Sequence, residues 1–427
     1  MNSQQKDEFS NQELKNTSNN ITSVGFGWKT TDGKLVSDNA VIYNVTEKKP
    51  WDQIPEDERI PSRITINGET FDTDVVEGKN ELQTCSQWTA YQSSPPTNRN
   101  SFRPLKGGIS VTNYTQLSAY VGTLGFIAID DDDGKLVGIS NNHVLTNDAF
   151  YTSERNNAVG QIFAQISGSV ATQPNEGGNS SLSNRIGLVK KYVPIVPIGS
   201  LVDNTVDAAA ISIDPVAITS GLIDTSESWK QEGFTTLLQA PPFASTAEID
   251  AALADPNTAY YSSGRTTGMK GLVVNHELRR YQTNQSITIN YPLQGVNTTI
   301  YMKKTFSLMS TYYDGVTLNQ CTYPSAGGDS GSAILADIGG VLKIVGLLYG
   351  GTNISDVPTY TLCNRIDEVA SQLNISAWDG ISTNYAAQTV TTRVISGTSS
   401  NATVGIGTNT YWQVGLVNNA TNPPNYP

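Results

Sequence analysis

Short stretches of alternating or continuously apolar residues, separated by turn-forming residues, recur along most of this chain. The clearest pair is 121–129 and 136–139, which enclose an Asp-Gly dipeptide at 133–134 that is typical of tight hairpin turns. Further strands are predicted at 186–193, 206–213, 285–290, 298–307, 332–336 and 341–348. Strands of this number and spacing predict a mainly β fold.

Helical patterns are confined to a few places. The segment 245–248 reads Ser-Thr-Ala-Glu, a capping-box pattern, and precedes apolar positions on one helical face before Pro256. A second helix is predicted at 365–373. Residues 1–20 are polar, and we expect them to be disordered.

Four consecutive aspartates at 130–133 form the hairpin turn and could be mistaken for a calcium loop. The spacing of an EF-hand and its closing glutamate are missing, so we expect a solvated turn. Two histidines and three scattered cysteines offer no zinc-ligand spacing either. The sequence therefore predicts no metal site.

The segment 326–332 reads Ala-Gly-Gly-Asp-Ser-Gly-Ser and offers a candidate nucleophile, Ser330. Flanking glycines allow the tight turn that would aim backbone N–H groups at an oxygen beside the hydroxyl. A plain glycine-rich loop between strands is the alternative.

A nucleophilic serine needs a base, and its base needs an orienting carboxylate. His143 follows an apolar strand and turn residues and is the better candidate base, whereas His276 has the surroundings of an ordinary strand residue. Asp207 precedes a buried-looking strand, where an unpartnered carboxylate would be costly. Asp203 and Asp214 have more polar surroundings.

The order His143, Asp207, Ser330 resembles the triad of chymotrypsin-like serine endopeptidases and differs from the subtilisin and α/β-hydrolase orders. Further stretches resemble the bacterial trypsin-like branch that is similar to the plant narrow-leaf protease. They are 103–108, 122–125, 140–145 and 264–268. The likeness spans roughly 22–375.

The resemblance implies two antiparallel β-barrels with the active site between them, His143 and Asp207 coming from the first and Ser330 from the second. It implies a serine endopeptidase that works through an acyl-enzyme without a cofactor, with an oxyanion hole of Gly328 and Ser330 N–H groups. A catalytically silent binding or structural module is one alternative. An esterase or acyltransferase using the same triad is another.

The resemblance also indicates a substrate pocket. Pro324 stands six positions before Ser330, where trypsin-type enzymes carry an acid, so we expect a pocket for small or apolar side chains. Tyr349, Gly350 and Gly351 match the lining segment, although the two glycines could form a plain turn. In secreted relatives the residue matching Asp329 pairs with a released N-terminus. A side-chain or backbone partner is the alternative here.

The sequence suggests a division into seven segments. They are a disordered tail (1–20), an α/β lead-in domain (21–79), a linker (80–102), the first barrel (103–215), an insertion with a short helix (216–262), the second barrel with a terminal helix (263–380), and a β-rich C-terminal extension (381–427). The lead-in domain could brace the first barrel, block the cleft or bind a partner. The extension could also dock to a partner.

The resemblance implies a protein or peptide substrate, and composition disfavours other partners. Among 427 residues the net charge is −12, with only 27 Lys and Arg, which disfavours nucleic acid. No apolar run approaches about 18 residues, so no membrane partner is expected. The first residues lack an apolar leader pattern, so we expect a cytoplasmic protein, with export by another route left open. Cys85, Cys321 and Cys363 are expected as free thiols, unless Cys321 and Cys363 pair.

Overall fold

The structure, a computed structural model, is mainly β, as the alternating pattern predicts. It describes residues 1–16, 20–32, 34–81, 97–113, 121–146, 170–172, 185–196, 198–199, 203–213, 222–235, 237–270, 276–293, 296–313, 318–321, 324–354 and 357–381. The strands form two sheets.

The N-terminal segment forms helix α1 (Ser3–Asn16), so the prediction of disorder is wrong for these residues. Although the helix is mostly polar, it contains two apolar side chains, Phe9 and Leu14, which pack into a cluster around Phe26. Glu13 also accepts a 2.9 Å hydrogen bond from the Tyr43 hydroxyl. Tertiary packing of this kind, rather than helix propensity, stabilises most helices.

Five strands follow α1. They are β1 (Ile21–Thr31), β2 (Lys34–Val45), β3 (Arg63–Ile66), β4 (Glu69–Glu77) and β5 (Lys79–Glu81), with one-turn 3₁₀ helices at Trp51–Gln53 and Glu56–Glu58. β1 and β2 form a hairpin, β2 pairs with β4 in parallel, and β3 pairs with β4 antiparallel. The helix α1 lies before residue 21, outside the lead-in domain predicted at 21–79, and the described residues of that domain form strands and 3₁₀ turns.

The first barrel begins after a 3₁₀ turn at Thr97–Arg99. Its strands are β6 (Ile109–Asn113), β7 (Val121–Leu124), β8 (Phe126–Asp130), β9 (Lys135–Ser140), β10 (Val170–Thr172), β11 (Arg185–Tyr192) and β12 (Ala209–Ile213), with the short helix α2 (Asn142–Leu145) after β9. β7 and β8 are one bent strand interrupted at Gly125. The pairings β7–β6, β6–β10, β10–β11, β11–β12, β12–β9 and β9–β8 therefore close into a six-stranded antiparallel barrel.

The aspartate turn between β8 and β9 is only partly solvated, which corrects the expectation from its sequence. Asp130 is fully buried and forms ion pairs with Lys190 and Lys191 from β11. Asp132 and Asp133 lie at the surface and contact the same two lysines. The turn is therefore anchored to a neighbouring strand by charge pairing, with Asp130 as its buried member.

The connection between the barrels contains the predicted helix α3 (Thr246–Ala254). Its capping box is present: Ser245 caps the Glu248 N–H, and Glu248 accepts from the Ser245 N–H. Ile249 and Leu253 pack into the main core cluster.

The second barrel follows directly. Its region contains β13 (Tyr260–Gly264), β14 (Gly268–Lys270), β15 (His276–Leu293), β16 (Val296–Tyr313), β17 (Leu318–Cys321), β18 (Ala333–Ile338), β19 (Val341–Ile354) and β20 (Val357–Arg365). The pairings β13–β15, β15–β16, β16–β20, β20–β19, β19–β18 and β18–β13 close a second six-stranded antiparallel ring. The predicted two-barrel architecture is confirmed by this strand pairing. β13 starts at residue 260, inside the segment predicted as an insertion.

The lead-in strands brace the second barrel. β15 and β16 are each 18 residues long and extend beyond the strands predicted at 285–290 and 298–307. β1 pairs with β15, and β2 pairs with β17.

The predicted linker also differs, since its first two residues, Asn80 and Glu81, belong to β5.

The second predicted helix is present as α4 (Ile366–Leu373), followed by β21 (Ile375–Ala377). β21 pairs with β8 of the first barrel, so residues 375–377 do not belong to the second barrel as predicted. The C-terminal extension lies outside the described residues apart from Ile381. Within those residues, no helix has both the length and the apolar character to cross a bilayer.

One apolar cluster continues from barrel to barrel. Phe126 and Ile139 of the first barrel share it with Leu335 and Leu347 of the second. Burial of this seam holds the two barrels in fixed contact.

Cys363 is a free, buried thiol, so the pairing with Cys321 that the sequence left open does not form. Cys363 lies opposite Phe306 of β16, whereas Cys321 lies opposite Ser310 further along the same edge of that strand, so roughly 13 Å separates the two positions at about 3.4 Å per residue. A disulfide requires Cα atoms within about 7 Å, which this arrangement excludes. Burial raises the pKa of the Cys363 thiol well above its ordinary value.

Candidate active site

His143 and Asp207 are brought together although 64 residues separate them. The Nδ1 atom of His143 lies 2.6 Å from Asp207 Oδ2, and the His143 backbone N–H donates to Asp207 Oδ1 at 3.2 Å. A carboxylate only accepts hydrogen bonds, so Nδ1 carries a proton in this contact. His143 is 4% exposed and Asp207 is fully buried.

The Asp207 backbone is held from both barrels. Asn141, at the end of β9, donates from Nδ2 to the Asp207 carbonyl at 2.7 Å. The Asp207 N–H donates to Asn364 Oδ1 of β20 at 3.0 Å, and Asn364 Nδ2 donates to the Thr205 carbonyl. These bonds fix the carboxylate at the barrel seam.

Ser330 lies at the same seam, on a turn just before β18. Its carbonyl accepts a 2.7 Å hydrogen bond from the Thr123 N–H of β7, which ties the turn to the first barrel. The next residue, Gly331, donates to the Leu348 carbonyl of β19. The Ser330 hydroxyl donates a long 3.4 Å bond to the Tyr349 carbonyl.

Gly122 shows how close α2 comes to the Ser330 turn. A Cβ placed on Gly122 would lie 2.4 Å from Val144 Cγ2 and 2.7 Å from the Ser330 carbonyl oxygen. Val144 follows His143 directly, so the helix that carries the imidazole and the turn that carries the hydroxyl both contact this glycine.

The turn at 327–331 has the backbone geometry that its glycines allow. Gly328 and Gly331 have φ values of +97° and +94°, which side-chain-bearing residues rarely adopt. Thr123 Oγ1 donates to the Gly328 carbonyl at 2.9 Å. Among the described residues, no acceptor contacts the N–H groups of Gly328 and Ser330, so both remain available to an external oxygen.

Asp329 anchors the turn from inside, with backbone and side-chain partners. Its carboxylate accepts from the Thr266 and Thr267 N–H groups, the Thr267 hydroxyl and the Ala326 N–H, at 2.7 to 3.1 Å. Burial raises the pKa of Asp329, and these hydrogen bonds act in the opposite direction. The alternative that needs no released N-terminus is therefore the one observed.

Of the expected pocket residues, Tyr349 contacts Ser330 through its carbonyl oxygen. Pro324 is buried at the start of the turn, and the next hydroxyl, Ser325 Oγ, contacts Thr361 Oγ1 of β20. Gly350 and Gly351 pair with β20 within strand β19, so the plain-turn alternative for them is wrong. Tyr349 is buried, with its side chain in an apolar cluster of the second barrel.

Sequence reasoning missed Thr123 and Asn364, which position Ser330 and Asp207. Neither lies near its partner in sequence, and a single Thr or Asn in a strand carries no signal of such a role. The residues that the structure describes contain no group of three or more His, Cys, Asp or Glu that could hold a metal ion.

No protein-family model and no curated protein matches the sequence. Solved structures that resemble it include a glutamic-acid-specific serine protease, 15% identical over 64% of this chain and 100% of that chain, with a TM-score of 0.35. Thermobifida fusca protease A is 13% identical over 64% and 98%, with a TM-score of 0.36. Nocardiopsis protease is 15% identical over 64% and 98%, with a TM-score of 0.35. At these values the likenesses transfer no activity and no residue role to this chain.

Proposed function

We propose that this chain is a serine endopeptidase of the chymotrypsin type, with His143, Asp207 and Ser330 as its triad. The observation that carries the proposal is the 2.6 Å contact between His143 Nδ1 and the buried Asp207 carboxylate. In the neutral imidazole that we propose, Nε2 is the acceptor, and Ser330 lies at the same seam. A neutral imidazole oriented in this way is the base that a serine hydroxyl needs.

In the proposed reaction, Ser330 Oγ leaves its long bond to the Tyr349 carbonyl and attacks the carbonyl carbon of a peptide. His143 Nε2 accepts the hydroxyl proton, and Asp207 stabilises the imidazolium that forms. The proton then passes to the leaving amine as the peptide C–N bond breaks. Water, deprotonated by His143, hydrolyses the acyl-enzyme and regenerates Ser330.

The N–H groups of Gly328 and Ser330 are the proposed oxyanion hole. No acceptor contacts them within the described part of the chain, which supports this role because the developing oxyanion then supplies one. Removal of one such donor typically costs about 10²–10³ in kcat.

We further propose that the substrate pocket accepts a small or apolar side chain of the substrate. Pro324 has no carboxylate that could bind a basic side chain. The hydroxyl groups of Ser325 and Thr361 are hydrogen-bonded to each other. The proposed partners are protein or peptide substrates.

Hydrolysis of fluorescently labelled casein tests the proposal. The wild type is expected to release labelled peptides, and Ser330→Ala and His143→Ala are expected to lose at least about 10³-fold in rate. A fluorophosphonate should label Ser330 in the wild type. Labelling without casein or peptide hydrolysis, but with ester hydrolysis, would favour an esterase. No labelling and no hydrolysis would favour a silent binding module.

A further inference from the structure

Strand β19 presents one continuous edge to the Ser330 turn and to β5. Its other edge pairs with β20 from Gly346 to Ile354. On the first edge, Ala333 of β18 pairs with Leu347, Ser332 accepts from the Leu348 N–H, and Ser330 Oγ contacts the Tyr349 carbonyl. An extended peptide attacked by Ser330 would add to this edge as an antiparallel strand.

Part of that edge is already occupied by the chain itself. β5 pairs with β19 antiparallel, with Glu81 opposite Gly351, Asn80 opposite Thr352 and Lys79 opposite Asn353. The other side of β5 contacts β15, where Glu81 lies opposite Asn290. β5 therefore fills the space between β19 and β15 beyond the ends of β13 and β18.

Buried side-chain bonds hold β5 in place. Asn80 is 5% exposed, and its Oδ1 accepts a 2.7 Å hydrogen bond from Thr352 Oγ1. Its Nδ2 donates longer bonds of 3.4 Å to the carbonyls of Thr22 and Thr288. β5 is thus tied to β19, β1 and β15 together.

The strand register shows how many substrate residues could pair with β19 before they meet β5. Because Ser330 Oγ contacts the Tyr349 carbonyl, an antiparallel peptide would place the residue attacked by Ser330 opposite Tyr349 and the preceding residue opposite Gly350. The next place, opposite Gly351, belongs to Glu81. We propose that β5 is a built-in specificity element that limits strand pairing to the two substrate residues before the scissile bond. Earlier residues must leave the sheet. The inference rests on the proposed function.

A series of N-acetylated peptidyl 4-nitroanilides of one to four residues tests it, with the terminal residue chosen from a positional library. In the wild type, kcat/KM should rise from one residue to two and then change by less than about threefold. Each further residue that pairs with a strand gains main-chain hydrogen bonds, which together should raise kcat/KM by about tenfold. A rise of about threefold or more on adding the third or fourth residue overturns the inference.

The double variant Asn80→Ala/Thr352→Val removes the side-chain anchors of β5. In it, a third residue should raise kcat/KM by about threefold or more, because the edge at Gly351 becomes accessible. A profile that stays flat overturns the inference. Thr46→Val is the matched control, since it also removes a threonine hydroxyl that donates to an asparagine, Asn20, far from β19 in sequence. Its profile should match that of the wild type.

Fluorophosphonate labelling of Ser330 separates the two proposals. No hydrolysis and no labelling refutes the proposed function itself. Labelling without hydrolysis of any peptide also refutes the endopeptidase proposal, whereas peptide hydrolysis that keeps rising at the third residue overturns the length limit alone.

Discussion

Asp329→Asn tests whether the buried Asp329 carboxylate sets the geometry of the turn that carries Ser330, the proposed nucleophile. The substitution keeps the shape of the side chain and removes its charge. Two donors reach each carboxylate oxygen, so the new NH₂ group faces two groups that also donate, whichever way the amide is turned. The Thr267 hydroxyl can rotate to accept, but a backbone N–H cannot.

The magnitude follows from this count. At least one buried N–H loses its acceptor, at about 1–3 kcal/mol, and the remaining bonds lose charge assistance. Relief of the buried charge offsets part of this loss, because burial already raises the pKa of Asp329. We expect the free energy of unfolding to fall by about 2–4 kcal/mol. Since Asp329 lies between Gly328 and Ser330, kcat should fall by about 10² or more through the oxyanion donors.

The assay combines kcat and KM on a peptide nitroanilide with chemical denaturation of the same samples. Thr267→Val is the graded control, because it deletes only the 2.7 Å hydroxyl bond to Asp329 and keeps both backbone donors. Its loss in kcat should stay within about tenfold. An Asn variant that is destabilised but retains kcat within about twofold of the wild type would refute the link between the anchor and the oxyanion donors.

Three further predictions concern other parts of the molecule. Burial raises the pKa of Asp7 from 3.8 to about 6. Above pH 6 the ionised carboxylate therefore lowers the free energy of unfolding by about 3 kcal/mol. This penalty disappears as the pH falls through 6 towards 3.8. Denaturation should therefore show Asp7→Asn gaining stability over the wild type at pH 7.5 but not at pH 4; equal differences at both pH values would contradict this. Asn364→Ala should lower kcat about tenfold with little change in KM, because Asp207 loses a backbone anchor, and steady-state kinetics that match the wild type would contradict it. Cys363 should react with a thiol reagent only after unfolding, since it is buried; mass spectrometry that finds native-state modification would contradict it.

Local signals in the sequence were sufficient to predict the elements that carry the proposed triad. The Gly-Asp-Ser-Gly turn, the strand end before His143 and the apolar strand after Asp207 are each visible within about ten residues. Two of these three residues are in contact in the structure, and the third lies at the same seam. The capping box of α3 was equally local, because both of its partners lie within one helical turn.

Features that depend on distant partners could not be predicted. β5 is a three-residue polar segment, and only its place between β19 and β15 makes it a strand. Helix α1 looks disordered by composition, because its stability comes from packing on residues further along the chain. Asp130 looks solvated until Lys190 and Lys191 of β11 are placed beside it. In each case a tertiary contact overrides the local pattern.

The crystal structure of the protein inactivated by a peptidyl diphenyl phosphonate tests the central claim most directly. Phosphorus should be bonded to Ser330 Oγ, with His143 Nε2 within hydrogen-bond reach of the phosphonate. Its phosphoryl oxygen should lie about 2.7–3.1 Å from the backbone nitrogens of Gly328 and Ser330. An adduct on another residue, or an imidazole that still contacts Asp207 but lies far from Ser330, would contradict the proposed triad.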